Sequence, residues 1–184
     1  VTPSNTATAG VCLPTAGAEE FGDMYFFNLF DSHADSLSGN YYDPEVAAEI
    51  AKIADKRTVR MIDHYTALTP VNDGFEVGMT YANYNINVYT KNPQRYIQEL
   101  AEYQAAANEN GFEDVTLGAF EINSGDYTGQ IMVVIQAPTA VRLGEFFDAG
   151  EEAWNVAASA KFPKLRKLKR GFLMTCEIVY ARLF

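Results

Sequence analysis

A chain of 184 residues that is 48% apolar and 13% aromatic carries enough nonpolar surface for one sizeable core. Its 24 acidic against 14 basic side chains leave a formal charge of −10, which argues against nucleic acid or an anionic membrane as a partner of the surface as a whole. No run of 18 apolar residues occurs, so no membrane-spanning helix is expected.

The first residues, Val1-Thr-Pro-Ser-Asn-Thr-Ala, are small and polar with no initiator Met. A mature N-terminus left by removal of an export signal reads this way, as does a trimmed chain, and the expectation is a periplasmic or extracellular protein. Pro3, Gly10, Pro14, Gly17 and Gly22 punctuate residues 1–22, which read as an extended arm without regular structure ahead of a single α+β domain over 23–184. Cys12 and Cys176 are the two cysteines, either one disulfide tying the arm to the last strand or two buried thiols. Their spacing makes no metal motif.

Residues 24–30, Met-Tyr-Phe-Phe-Asn-Leu-Phe, form a strand whose unbroken hydrophobicity predicts burial on both faces. A loop follows with Asp31, His33 and Asp35, whose spacing fits no cation-binding loop, so no metal site is assigned. Asp43-Pro44 opens a helix by a capping side chain and a residue of preset φ. Val46, Ile50, Ile53, Met61 and Leu68 continue at helical spacing if it runs unbroken to about residue 67. Arg57 and His64 share that stripe, either as a snorkelling Arg and a hydrogen-bonded His or as two polar heads aimed into a pocket.

After the Pro70/Asn72-Asp73-Gly74 turn, residues 76–90 read as the longest strand, with its apolar register switching near 81 and 82, as a β-bulge would do. Asn83, Asn85, Asn87 and Tyr89 then stand in a row. Asparagine is a poor strand former, and three at alternate positions either line a polar cavity or face water. Asn92-Pro93 starts a helix ending at Asn110-Gly111, and 115–122 and 130–136 form a hairpin. Pro138 precedes a helix over 140–160 with Val141, Phe146, Phe147 and Trp154 as core, and 172–182 is the final strand, both faces apolar. Between them, Lys161, Lys164, Arg166, Lys167, Lys169 and Arg170 crowd ten positions, as a solvated loop or a contact for an anionic ligand or an acidic neighbour.

Residues 76–182 thus spell βαββαβ, the ferredoxin-like split βαβ, preceded by an extra strand and a long helix. Such a sheet is antiparallel with helices on one face, so its other face needs a cover, for which a second copy is the natural candidate.

The stretch Gly125-Asp126-Tyr127-Thr128-Gly129-Gln130-Ile131-Met132-Val133-Val134-Ile135-Gln136-Ala137-Pro138 leads from a polar turn through an apolar strand to a proline-started helix. It resembles the corresponding unit of the dimeric α+β barrel superfamily, which includes antibiotic-biosynthesis-type monooxygenases, NIPSNAP-like proteins and stress-responsive barrel proteins. That resemblance implies two sheets packed face to face and a cavity between sheet and helices. Haem-degrading members use a strand Asn, a Trp and a later helical His; Asn28 and Trp154 stand in for the first two, but no His follows Trp154, so haem chemistry is not implied. Cofactor-free oxygenases of this type hold aromatic substrates with Asn, Trp and Tyr side chains.

No phosphate-cradling glycine motif and no Gly-x-Ser-x-Gly nucleophile motif is present. The leading expectation is an exported, non-enzymatic, cofactor-free binding or self-assembly protein that associates through its open sheet face. The alternative is a metal-free oxygenase-like enzyme in which Arg57, His64, Asn83, Asn85, Asn87 and Tyr89 surround an aromatic ligand, with His64 as proton acceptor.

Overall fold

A computed structural model of the chain describes residues 5–38, 44–71 and 74–182. The Asp43 cap and the Asn72-Asp73 turn lie outside the described residues. The elements run β1 (Thr8–Ala16), β2 (Tyr25–Leu29), α1 (His33–Ser38), α2 (Pro44–Ala51), β3 (Tyr65–Ala67), β4 (Thr80–Tyr89), α3 (Pro93–Glu109), β5 (Thr116–Ile122), β6 (Ile131–Ala137), α4 (Ala140–Asp148), α5 (Ala153–Ser159), α6 (Phe162–Leu165) and β7 (Lys167–Ala181). The strands form one antiparallel sheet in the order β2-β1-β7-β4-β6-β5-β3. The βαββαβ core is therefore present, as β4-α3-β5-β6, the α4 to α6 helices and β7.

Local chemistry explains the sharpest boundaries. The Asn92 side chain accepts the Arg95 amide at 3.0 Å and Pro93 sits in the first turn, so α3 starts where its backbone donors are satisfied. Thr139 caps α4 in the same way by accepting the Arg142 amide. The helices pack over β4, β5 and β6. Beneath them Ile86, Val88, Ala119, Val133 and Ile135 meet Tyr96, Leu100, Leu143 and Phe146 in the main core. Burying a side chain of this size stabilises the fold by about 1.5–3 kcal/mol.

Four expectations are corrected. The arm is not irregular over 8–16: β1 inserts between β2 and β7, and Cys12 is bonded to Cys176, its ladder partner. The helix opened by Pro44 ends at Ala51, and a short 3-10 turn at Ala54–Lys56 gives way to extended chain. β-Branched Thr58 and Val59 are weak helix formers, and Arg60 gains ion pairs to Glu19, Glu20 and Asp23 by leaving the helical path. The expected helix 140–160 breaks where Glu152 is extended, and Val141 and Phe147 are exposed rather than core. The basic run is not a loop, because Lys167–Arg170 open β7 and Lys161 is tied to Glu99 and Glu102.

Two smaller differences concern burial. β2 is an edge strand with Phe26 61% exposed, so its aromatic run is not covered on both faces. In β7, Val179 is likewise exposed. Among the described residues no helix is long and apolar enough to cross a membrane.

Candidate functional site: the helix-free face of the sheet

The face of the sheet away from the helices carries a second cluster, with Cys12, Tyr81, Phe172, Met174, Cys176 and Ile178 buried and Tyr25, Phe27, Phe75, Met79 and Met132 packed on them. Curling of the sheet shields it. β2 and β3 are the two edges, yet the ring of His33, just after β2, lies 5.2 Å from that of His64, just before β3.

Asn83, Asn85 and Asn87 point into this face. In the β4–β7 ladder they pair with Met174, Phe172 and Arg170, and in the β4–β6 ladder with Gln136, Val134 and Met132. Tyr81 belongs to the same alternation, so the apparent register switch near residue 81 is no bulge: one face simply changes from aromatic to amide. The β4–β6 pairing runs without interruption from Ala82 to Val88. The bulge lies further on, where Asn87 pairs with Arg170 but Val88 with Leu168. Arg170, two positions before Phe172, is on the asparagine side by the regular alternation, and the bulge begins just beyond it.

All three asparagines are at least nine-tenths buried, and none of their Oδ1 atoms has a hydrogen-bond partner among the described residues. The Asn85 amide donates to Met132 Sδ at 3.4 Å and the Asn83 amide to Cys176 Sγ at 3.7 Å, both weak sulfur acceptors. A buried polar oxygen without a partner costs about 1–3 kcal/mol. Three in one row are not explained by stability.

Arg170 closes the end of the row. Its guanidinium donates to Glu19 Oε1 at 2.6 Å and to the Tyr25 hydroxyl at 2.7 Å, and it lies over the Phe172 ring at 4.6 Å. The Tyr127 hydroxyl donates to the same Glu19 oxygen at 2.8 Å. Burial opposes the Arg170 charge, but Tyr25, Glu19 and Tyr127 outweigh it and raise its pKa above the ordinary arginine value. Burial, aided by Asp63, pushes Tyr65 up to about 12. Asp63 is itself raised, mainly by burial, its carboxylate seated over Gly125, whose φ of +83° and lack of Cβ permit the approach.

The remaining residues expected at a pocket are not gathered here. Tyr89 is 48% exposed at the end of β4, and Arg57 is exposed beyond the 3-10 turn. His64 lies at the β3 edge, its backbone held by Ser124 and Asn123. Asn28 is on the edge strand β2, whereas Trp154 packs on Tyr103 and Phe112 in the helical layer. Asp31 pairs with Arg182 and Asp35 with Ser32, and no group of three or more His, Cys, Asp or Glu side chains converges among the described residues. Arg170, Tyr25, Tyr127 and Glu19 are the site residues that sequence reasoning missed. Extending the Phe172-Met174-Cys176 alternation one step back would have placed Arg170 on this face. Of two surface depressions, one of about 690 Å³ lies within the β1–β2 connection, on the segment that carries Glu19, and one of about 350 Å³ lies between Arg95, Glu99, Lys161 and Lys164.

The curled seven-stranded sheet with helices on one side defines an α+β barrel-like fold. It is similar to the crystal structure of an anthrone oxidase-like protein, with a TM-score of 0.52 over 99% of this chain and 80% of that one, at 14% sequence identity. No protein-family model matches the chain, and no curated protein matches it.

Proposed function

We propose that this is an exported member of the dimeric α+β barrel superfamily whose helix-free face binds a flat, hydroxyl-bearing aromatic ligand. The carrying observation is the row of three buried asparagine oxygens left without donors among the described residues. Strand geometry makes the row about 13 Å long, enough for two or three fused rings, and ligand hydroxyls would supply the missing donors. Phe172, Tyr81 and Tyr25 offer ring faces beside it. Met132, Val134 and Gln136 on β6 are partly open, and Met132 is an unbranched, adaptable side chain that can swing from Asn85 to admit a ligand. The name of the anthrone oxidase-like neighbour suggests a tricyclic phenol as a first probe. The disulfide supports an oxidising compartment.

The test is a fluorescence titration with 1,8-dihydroxyanthraquinone, followed by incubation with the corresponding anthrone under oxygen. Saturable binding that weakens about tenfold or more in Asn85→Leu supports the reading, and binding equal in that variant overturns it. Oxidation of the anthrone at a rate lowered by the same variant would place the protein with the oxygenase-like enzymes rather than the binding proteins.

Self-association is a second reading with its own observation. Leu13, Phe26 and Val179 are exposed on β1, β2 and β7, beyond the strands over which the helices pack. Light scattering that returns a dimer or larger assembly, reverting to monomer in Phe26→Ser, supports it; a wild-type monomer at high concentration removes it.

A further inference from the structure

The chain has two histidines, and the fold brings both to the seam where the sheet curls back on itself. His33 is the first residue of α1, directly after edge strand β2, and His64 directly precedes edge strand β3. Their ring centroids are 5.2 Å apart with the planes tilted by 47°. Two imidazoles on one tetrahedral zinc, with Zn–N bonds of about 2.0–2.1 Å, have ring centroids about 5 Å apart. We propose that His33 and His64 form a two-histidine site for a zinc-class divalent transition metal that clips the edges of the sheet together.

The surroundings of His64 suit a ligand role. Its backbone N–H donates to Ser124 Oγ at 2.8 Å and its carbonyl accepts the Asn123 amide at 2.8 Å, fixing the residue against the β5–β6 turn. Its Nδ1 lies 3.4 Å from the Asn123 side-chain amide, which also reaches Thr66 Oγ1 at 2.7 Å. With that amide turned over, Asn123 Oδ1 accepts from both the Thr66 hydroxyl and His64 Nδ1–H, leaving Nε2 free to bind metal. This is the outer-sphere hydrogen bond that metal-binding histidines ordinarily have. His33 is solvent-exposed, so water or an incoming ligand can fill the other positions. Of the carboxylates beside His33, Asp31 pairs with Arg182 and Asp35 accepts from Ser32. A pair of neutral nitrogen ligands selects zinc, nickel or copper over magnesium or calcium.

The test is isothermal titration of the untagged, full-length protein with ZnCl₂, repeated with NiCl₂ and MgCl₂, alongside melting curves. The expected result is one zinc per chain with a raised melting temperature, no response to magnesium, and at least about tenfold weaker binding in His33→Ala, whose exposed position leaves the fold intact. His64→Gln should behave alike, and Asn123→Ala should weaken binding without abolishing it. Absence of saturable binding below millimolar zinc, or an isotherm unchanged in His33→Ala, overturns the proposal.

Discussion

Replacing Asn85 by Leu separates a residue kept for stability from one kept for a ligand. Among the described residues the Asn85 oxygen is inaccessible and has no hydrogen-bond partner, and its amide nitrogen donates to the Met132 sulfur. Removing an unsatisfied buried acceptor returns about 1–3 kcal/mol. The new methyl groups would lie between Phe172 and Val134, its ladder partners on either side. Imperfect fit there costs up to about 1 kcal/mol. The net expectation is a variant as stable as the wild type or more stable, by up to about 3 kcal/mol. For a domain of this size each kcal/mol raises the melting temperature by roughly 2–4 °C. Urea denaturation with the disulfide intact measures it, and an unchanged m-value would locate the gain in stability rather than compactness. A loss of more than about 1 kcal/mol would refute the reasoning, because it would mean the amide is satisfied in solution and needs no ligand.

The same site and its frame give further expectations. Mutating Cys12 and Cys176 to Ser opens a link spanning 164 positions and should lower stability by about 2–5 kcal/mol, read by urea denaturation. Arg170→Met removes the tie between β7, Glu19 and Tyr25, and limited proteolysis should then cut the 17–24 segment faster than in the wild type. Asp63 has a raised pKa in the folded state, so the fold holds its proton more tightly than the unfolded chain does. The ionised carboxylate therefore weakens the fold at neutral pH, and stability from this group increases as pH falls through the raised value towards the ordinary one. Asp63→Asn should stabilise the protein at pH 7, with the gain vanishing below the ordinary carboxylate range; equal gains at pH 7 and pH 3 would contradict this.

The core was legible because its signals are local. The Asn92-Pro93 device and the alternation in β6 each confine a segment to one structure, and α3 and the hairpin fall within a residue or two of their expected limits. The arm was not legible: Pro and Gly mark it as irregular, whereas pairing with two strands and a disulfide make Thr8–Ala16 a strand. Helical spacing continued past Ala51 on paper, yet Arg60 is drawn to the acidic loop between β1 and β2, a contact with no trace in sequence periodicity. The asparagine row was visible as three poor strand formers at alternate positions, although burial was needed to distinguish a lined interior from a wet surface. Arg170, Glu19 and Tyr127 meet only because the sheet curls, and no single stretch of chain encodes that meeting.

Side-chain amide resonances of nitrogen-15-labelled protein, followed by NMR during titration with 1,8-dihydroxyanthraquinone, bear most directly on the function assigned to the helix-free face. The Asn83, Asn85 and Asn87 amide pairs are predicted to shift together and saturate at one ligand per chain, while those of Asn108 and Asn110 at the surface stay fixed. Unmoved resonances for all three, or equal shifts at Asn108 and Asn110, would contradict the account.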